Sequence, residues 1–150
     1  MTDQAKPLGA DRALGIVAEI WGGLDDGHGP PGEDRARIAW AAGRGADVYG
    51  ELEPDAFLTL LRRFAPTAND VFADLGSGTG KLAALAALAS PVGRAVGVEL
   101  SEHRHATATE AWRRLKGPPA AHRSAERVHY KHGDVRAALP LPAPPRFPTR

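Results

Sequence analysis

A short apolar run followed by three closely spaced glycines constrains the fold of this chain more than any other feature. Residues 71–75 (VFADL) are apolar on both faces, which is typical of a strand covered by helices on each side. Gly76, Gly78 and Gly80 follow directly, and residues 81–89 are rich in the helix formers Ala and Leu. Such a turn lets backbone approach a ligand at a helix N-terminus, so the sequence predicts a ligand-binding strand–turn–helix unit.

The rest of the chain continues this alternation of helices and strands. Hydrophobic spacing and turn signals predict each element, and Ser101 is predicted to cap one of the helices. The first predicted helix starts at Asp11, and four more span 34–42, 54–64, 81–89 and 102–116. The predicted strands span 71–75, 94–100 and 127–131. This order predicts an α/β fold with a Rossmann-like parallel sheet built from two consecutive βαβ units.

Length and composition limit the number of domains and the kinds of site that the chain can form. With 150 residues and 43% apolar content, the chain is about the size of one domain. We divide it into an N-terminal helical and loop region over 1–47, a ligand-binding half-domain over 48–139 and a proline-rich tail over 140–150. The absence of cysteine excludes a disulfide framework and a thiolate zinc site.

Neither a leader nor a membrane segment is expected. The longest apolar run, Leu82 to Ala89, has eight residues, whereas a membrane-spanning helix needs about 20. The chain is therefore expected to be intracellular and soluble, without a membrane partner. His103 and His105 do not share a helix face, and His129 and His132 lie on different sides of a strand end, so no metal site is predicted. Trp21, Trp40 and Trp112 are expected to be buried or half-buried by packing.

Charge is distributed unevenly along the chain. Residues 1–100 contain 9 basic and 14 acidic side chains, whereas residues 101–150 contain 10 basic and 4 acidic ones. The basic C-terminal part is consistent with contact to nucleic acid or to another anionic partner, but such charges more often form an ordinary solvated face.

Spacing separates three interpretations of the glycine turn. A phosphate-binding P-loop needs a glycine five residues before the Gly-Lys pair and Ser or Thr after it, but Leu75 and Leu82 occupy those positions. A dinucleotide-binding turn needs G-x-G-x-x-G, whereas this turn is G-x-G-x-G followed by Lys81. The third interpretation is a site for S-adenosylmethionine. This ligand has no phosphates, and its site requires hydrogen-bond acceptors beside closely approaching backbone.

Three acidic residues supply those acceptors. Asp74 precedes the turn, Glu99 ends the second predicted strand, and Asp134 follows the third. Parallel strands present their carboxyl ends at one edge of the sheet, so these side chains are expected to lie together. Asp74 is predicted to accept from the ammonium of the methionine moiety, Glu99 from the ribose hydroxyls and Asp134 from the adenine amino group. Each acid alone could equally be a capping or surface carboxylate.

Two segments of the sequence resemble those of a known protein family. Residues 48–51 (VYGE) resemble the VYGE loop of the Dot1 family of non-SET histone H3 lysine-79 methyltransferases, and residues 69–80 (NDVFADLGSGTG) resemble its DVFVDLGSGxG segment. The resemblance covers about residues 48–135. It implies a class I methyltransferase fold, S-adenosylmethionine as cofactor, histone H3 in the nucleosome as partner and a nuclear location.

The resemblance also implies roles for single residues. Tyr49 and Glu51 would lie in a loop over the methionine end of the cofactor. Lys81 stands where the family usually has Gln or Asn, and its cation beside the sulfonium is unfavourable unless it pairs with the methionine carboxylate. Val135 stands where an aromatic side chain commonly stacks on adenine. The predicted cofactor-binding residues are Tyr49, Glu51, Asp74, Gly76, Ser77, Gly78, Gly80, Lys81, Glu99, Asp134 and Val135.

No catalytic residue is predicted. A lysine with a pKa of about 10.4 is neutral only about once in a thousand molecules at pH 7.4, and an apolar channel can lower that pKa. In the family, that channel comes from a segment after the fourth strand, and this sequence ends before it. We therefore expect a sheet truncated after its third strand, in a fragment or one half of a complemented enzyme. A non-catalytic cofactor-binding or interaction module and a small-molecule methyltransferase are the alternatives.

Overall fold

The computed structural model describes residues 6–138 of the chain. The helices are α1 (Ala10–Trp21), α2 (Gly32–Ala42), α3 (Pro54–Phe64), α4 (Lys81–Ala89), α5 (Glu102–Leu115), α6 (His122–Ala125) and α7 (Val135–Ala138). The strands are β1 (Val71–Leu75), β2 (Arg94–Glu99) and β3 (Val128–His132).

The three strands form a parallel sheet in the order β1-β2-β3. Asp74 of β1 pairs in register with Gly97 of β2, and Glu99 of β2 pairs with His132 of β3. Strands that are consecutive along the chain are therefore neighbours in the sheet, with α4 between the first two strands and α5 and α6 between the last two. The predicted α/β class and the Rossmann-like parallel sheet are confirmed.

Helix α4 lies at the centre of the main core. Its residues 83–88 are all buried, and α1 and α3 pack against it together with β2. On α1, Val17, Ile20 and Trp21 face this core, and Phe57 of α3 meets Phe72 of β1 edge to face at 5.3 Å between ring centroids. The N-terminal helix is thus part of the same core as the sheet.

Several boundaries differ from the sequence-based prediction. Helix α2 begins two residues earlier than expected, and β3 is displaced by one residue toward the C-terminus. Two four-residue helices, α6 and α7, were not predicted, and α7 starts directly after Asp134, where the regular pattern was expected to end. The predicted proline-rich tail over 140–150 lies outside the described residues.

Of the three tryptophans that were expected to be buried or half-buried, Trp40 is exposed. Trp21 is buried and Trp112 is half-buried, with its indole N–H donating to the carbonyl of Ala125 at 2.9 Å. Trp40 is instead 91% exposed, because α2 turns Asp34 and Ile38 inward and Trp40 lies on the outer side of the helix.

The start of helix α5 is capped twice. Ser101 accepts from the amide of Arg104 at 3.1 Å, which confirms its predicted role as N-cap. Asp34 of α2, which is 3% exposed, accepts from the Ser101 hydroxyl at 2.5 Å and from the Glu102 amide at 3.1 Å. The second cap fixes α2 to the end of the sheet where β2 finishes.

Candidate functional site

The glycine loop, residues 76–80, follows β1 at the carboxyl end of the sheet. Gly76, Gly78 and Gly80 have φ values of 91°, 54° and 87°, a region that favours glycine. The amides of Gly76 and Ser77 both donate to the carbonyl of Val98, at 2.8 and 2.9 Å. The loop therefore turns tightly back onto β2 before α4 begins.

Glu99 holds this loop from the neighbouring strand. Its Oε2 accepts from the amide of Gly78 at 2.7 Å, and its Oε1 accepts from the amide of Ser101 at 2.8 Å. The residue is 6% exposed. Each carboxylate oxygen has a further lone pair for a ligand hydroxyl. The sequence predicted a ligand contact for Glu99, whereas its role in shaping the glycine loop was missed.

The carboxylate of Asp74 has no hydrogen-bond partner within residues 6–138. Burial, and secondly the negative charge of Glu99, raise the pKa of its carboxyl to about 6. Asp74 lines a cavity of about 90 Å³ together with Ser77, Lys81 and Glu51. A partly buried carboxylate without a donor is a strong acceptor for a cationic ligand group.

Tyr49 and Glu51 lie against the glycine loop. The Tyr49 hydroxyl donates to Glu51 and accepts from the amide of Thr79 at 3.3 Å. The Thr79 hydroxyl also donates to Glu51 Oε1, at 3.1 Å. Burial, and secondly the hydrogen bond to Glu51, raise the pKa of Tyr49 to about 12, so it remains a neutral donor at ordinary pH.

Lys81 pairs with Glu51. Its Nζ lies 2.5 Å from Glu51 Oε2, and both side chains are about one-quarter exposed, at 25% and 29%. Burial opposes ionisation of Glu51, but the hydrogen bonds from Lys81 and Tyr49 outweigh it and lower the pKa of the carboxyl. The charge of Lys81 is thus offset by Glu51, a partner that the sequence did not predict for it.

The side chains of Trp21 and Tyr130 donate hydrogen bonds to backbone carbonyls of the glycine loop. Thr79 is completely buried, and its carbonyl accepts from the Trp21 indole N–H at 2.9 Å. The Tyr130 hydroxyl donates to the carbonyl of Gly80 at 2.6 Å. A Cβ at Gly80 would lie 2.5 Å from the Tyr130 ring, so the third glycine is needed for this packing. Neither Trp21 nor Tyr130 was predicted at the site.

A second cavity, of about 350 Å³, opens beside the first. The two share Tyr49, Gly50 and Gly76, and the second is further bounded by Glu99, Arg104, Asp134, Val135 and Arg136, among others. They are adjoining parts of one cleft at the carboxyl ends of the strands, where an open α/β sheet binds its ligands.

Asp134 follows the end of β3, as predicted, but its carboxylate is already hydrogen-bonded to Arg136. Its oxygens accept from the backbone amide of Arg136 at 2.8 Å and from the Arg136 guanidinium, which itself donates to the carbonyl of Ala41 at 2.9 Å. These hydrogen bonds lower the pKa of Asp134 to about 2. Arg136, two residues further along, was missed because an i to i+2 ion pair has no distinctive sequence pattern.

The cleft thus gathers most of the predicted set. Tyr49, Glu51, Asp74, Gly76, Ser77 and Lys81 line the smaller cavity, and Glu99, Asp134 and Val135 line the larger one. Gly78 and Gly80 line neither, because the Tyr49 and Tyr130 rings lie against them. Within residues 6–138 no cluster of His, Cys, Asp and Glu is arranged to hold a metal ion. No helix in that range is long and apolar enough to span a bilayer.

Comparison with known proteins shows a family match over part of the chain. The family described as "Histone methylation protein DOT1" matches residues 41–122, more than half of the chain. This range contains Tyr49, Glu51, the glycine loop, Lys81 and Glu99, whereas Asp134 and Val135 lie beyond it.

Two individual proteins are similar to parts of the chain. A histone-lysine N-methyltransferase, H3 lysine-79 specific, from Caenorhabditis elegans is 37% identical over 57 residues, which is 38% of this chain and 6% of the relative. The X-ray structure of YjhP from E. coli aligns over 65% of this chain and 35% of that one, with a TM-score of 0.47 and 24% identity. From its match to more than half of the residues, the chain belongs to the DOT1 family of histone methylation proteins.

Proposed function

We propose that this chain binds S-adenosylmethionine across the two adjoining cavities and forms the cofactor-binding part of a protein-lysine methyltransferase. The observation that carries the proposal is Asp74, a partly buried carboxylate that lines the cleft without a hydrogen-bond donor from residues 6–138. The ammonium of a methionine moiety would supply that donor, and burial strengthens the resulting bond.

The smaller cavity suits the amino-acid end of the cofactor. Asp74 accepts from the ammonium, and the amide-lined turn at Gly76 and Ser77 allows the ligand to approach the backbone closely. Lys81 is positioned to bind the carboxylate, which it would share with Glu51. The donors and acceptors therefore fit both charges of an amino acid.

The larger cavity suits the nucleoside end. Glu99 retains an unused lone pair on each oxygen for the ribose hydroxyls, although both oxygens already accept from the backbone. Asp134 remains ionised at neutral pH and is the acceptor that we assign to the adenine amino group. Val135 offers an apolar contact to the ring in place of aromatic stacking.

When bound, S-adenosylmethionine supplies an electrophilic methyl group. The residues of this chain hold the cofactor and exclude water from it: Tyr49 and Glu51 cover the methionine end, and Glu99 fixes the glycine loop beneath. Positioning of this kind contributes much of the rate in a displacement between two bound partners.

We infer that the acceptor is a lysine of histone H3 in the nucleosome, and that the protein acts in the nucleus. The relative from C. elegans is named for histone H3 lysine-79, although this chain corresponds to only 6% of that protein. The excess of basic residues over 101–150, 10 against 4 acidic, supports contact with nucleosomal DNA.

Calorimetric titration with S-adenosylmethionine tests cofactor binding. Wild type is expected to bind, and Asp74→Asn to bind at least tenfold more weakly, because the amide lacks the negative charge that the ammonium requires. Asp11→Asn, an exposed acid of α1, is the matched control and should bind as wild type does. No heat of binding at millimolar cofactor would refute the proposal.

Transfer of a radiolabelled methyl group separates the enzymatic alternatives. Incorporation into H3 within nucleosomes supports the proposed acceptor. Incorporation only into a metabolite fraction would instead identify a small-molecule methyltransferase. Cofactor binding without transfer to any acceptor would identify a non-catalytic module.

A further inference from the structure

Arg104 of helix α5 is a buried cation at the wall of the larger cavity. It is 3% exposed. Its Nε donates to the carbonyl of Gly27 at 2.8 Å, and its Nη2 donates to the carbonyl of Asp47 at 2.8 Å. The guanidinium thus joins two loops that are twenty residues apart in the sequence, both of them N-terminal to the sheet.

The same guanidinium lies over an aromatic ring. Its Cζ is 4.4 Å from the ring centroid of Tyr49, within the range of a cation–π contact. Within residues 6–138 no carboxylate lies at ion-pair distance from Arg104. Burial of a charge without a counter-ion is costly, and here the two carbonyls and the ring offset that cost.

Two of these contacts, those with Asp47 and Tyr49, are made with the segment that covers the glycine loop. We define residues 43–53 as the cover segment. Its sequence has glycine at positions 43, 45 and 50, and most of its side chains are exposed. Backbone hydrogen bonds within it link Ala46 to Gly43 and Val48 to Gly45. Such a segment needs contacts from elsewhere in the fold to keep one conformation.

We propose that Arg104 is a positioning residue that holds the cover segment, and with it Tyr49, closed over the glycine loop. Arg104 touches the backbone of the segment at Asp47 and the side chain at Tyr49, and Tyr49 in turn contacts Glu51 and Thr79. Loss of Arg104 therefore releases the residues that cover the smaller cavity, although Arg104 itself does not line that cavity.

Lysine is not an equivalent replacement. An ammonium can lie over the Tyr49 ring, but it does not have the planar fork with which the guanidinium reaches two carbonyls of separate loops at once. We therefore expect Arg104→Lys to retain the fold and to lose part of the positioning, and Arg104→Met to lose it all.

Hydrogen exchange measured by mass spectrometry on the full chain without any ligand tests the proposal. Exchange in the cover segment is expected to rise at least tenfold in Arg104→Met and by a smaller factor in Arg104→Lys, while the amides of α4 keep their protection. Arg113→Met is the matched control on the same helix, since the Arg113 side chain is 71% exposed and its hydrogen bonds go to Glu110. Unchanged exchange over 43–53, or a uniform rise in all elements, would overturn the proposal.

A second measurement connects the positioning to the cofactor, and this part depends on the proposed function. Affinity for S-adenosylmethionine is expected to fall about tenfold in Arg104→Met, and by less when the same change is made in a Tyr49→Leu background. If wild type binds no cofactor, the proposed function fails while the exchange result still decides the role of Arg104. If wild type binds and Arg104→Met binds equally well, the positioning role is wrong.

Discussion

The ring of Tyr49 lies directly against Gly78, so that a side-chain carbon at position 78 would overlap the ring. Gly78 also has a φ of 54°, a conformation that side chains disfavour. The second glycine of the loop is thus required both by the turn and by the aromatic side chain above it.

Gly78→Ala is expected to lower the free energy of unfolding by about 2 kcal/mol, since it combines backbone strain with overlap against a packed ring. Denaturant unfolding measures the change. Tyr49→Ala in the same chain removes the overlap and should restore part of the loss.

Gly15→Ala provides the contrast. This glycine lies within α1 and has a negative φ, and a methyl group added to it would meet no atom within 4 Å. The change should therefore stabilise the protein by about 0.5–1 kcal/mol. Equal losses from Gly78→Ala and Gly15→Ala would contradict the packing described for Tyr49.

Asp74→Asn is expected to stabilise the chain without ligand at neutral pH. The carboxyl has a pKa of about 6 when folded, against an ordinary value of 3.8, so wild type is penalised once the group ionises. The penalty is absent below pH 3.8, grows as pH rises through about 6 and then stays constant. Its size is about 2 kcal/mol, because residual solvent contact screens part of the effect.

Unfolding curves of wild type and Asp74→Asn at about pH 4 and about pH 7.5 measure this directly. The two proteins should have similar stability at the lower pH and separate at the higher one, with the variant more stable. A variant that is less stable at the higher pH would show that Asp74 has a structural partner.

Asp34→Ala is expected to destabilise the chain by about 2 kcal/mol, because three donors at the start of α5 lose one buried acceptor. Burial opposes ionisation of Asp34, but hydrogen bonds from Ser101 and the α5 amides outweigh it and lower its pKa from 3.8. Its contribution is therefore present above pH 3.8 and is lost as pH falls below that value. Glu33→Ala, at the neighbouring exposed position, should change the stability by less than about 0.5 kcal/mol.

Lys81→Gln restores the residue type that the family carries at this position. Loss of the ion pair with Glu51 should change the stability by less than about 1 kcal/mol, because both side chains remain partly exposed. If Lys81 binds the cofactor carboxylate, wild-type affinity for S-adenosylmethionine should weaken with added salt, and that of Lys81→Gln should weaken less. Calorimetry at two salt concentrations gives the comparison, and equal salt dependence would show that Lys81 does not bind the cofactor carboxylate.

Local signals in the sequence were sufficient to predict the sheet and the residues at the carboxyl ends of its strands. Apolar strands, the glycine turn and the Ser101 cap each depend on near neighbours, and the structure places them as predicted. The resemblance to the Dot1 family added Tyr49 and Glu51, which no periodicity indicates.

The contacts that shape the cleft could not be predicted in the same way. Asp34 and Ser101 are 67 residues apart, and Arg104 and Gly27 are 77 apart, so only the folded chain brings them together. Trp40 was expected to pack, but spacing alone does not tell which side of the weakly amphipathic helix α2 faces the core.

Mapping S-adenosylmethionine on the chain by NMR tests the central claim most directly, because it reports both binding and place. Amide shifts are predicted to concentrate in the glycine loop, at Glu99 and Ser101, in the cover segment and at residues 134–136. Perturbation confined to another region, such as the apolar groove between Leu58 and Pro91, or no perturbation at millimolar cofactor, would contradict the assignment of the cleft as the cofactor site.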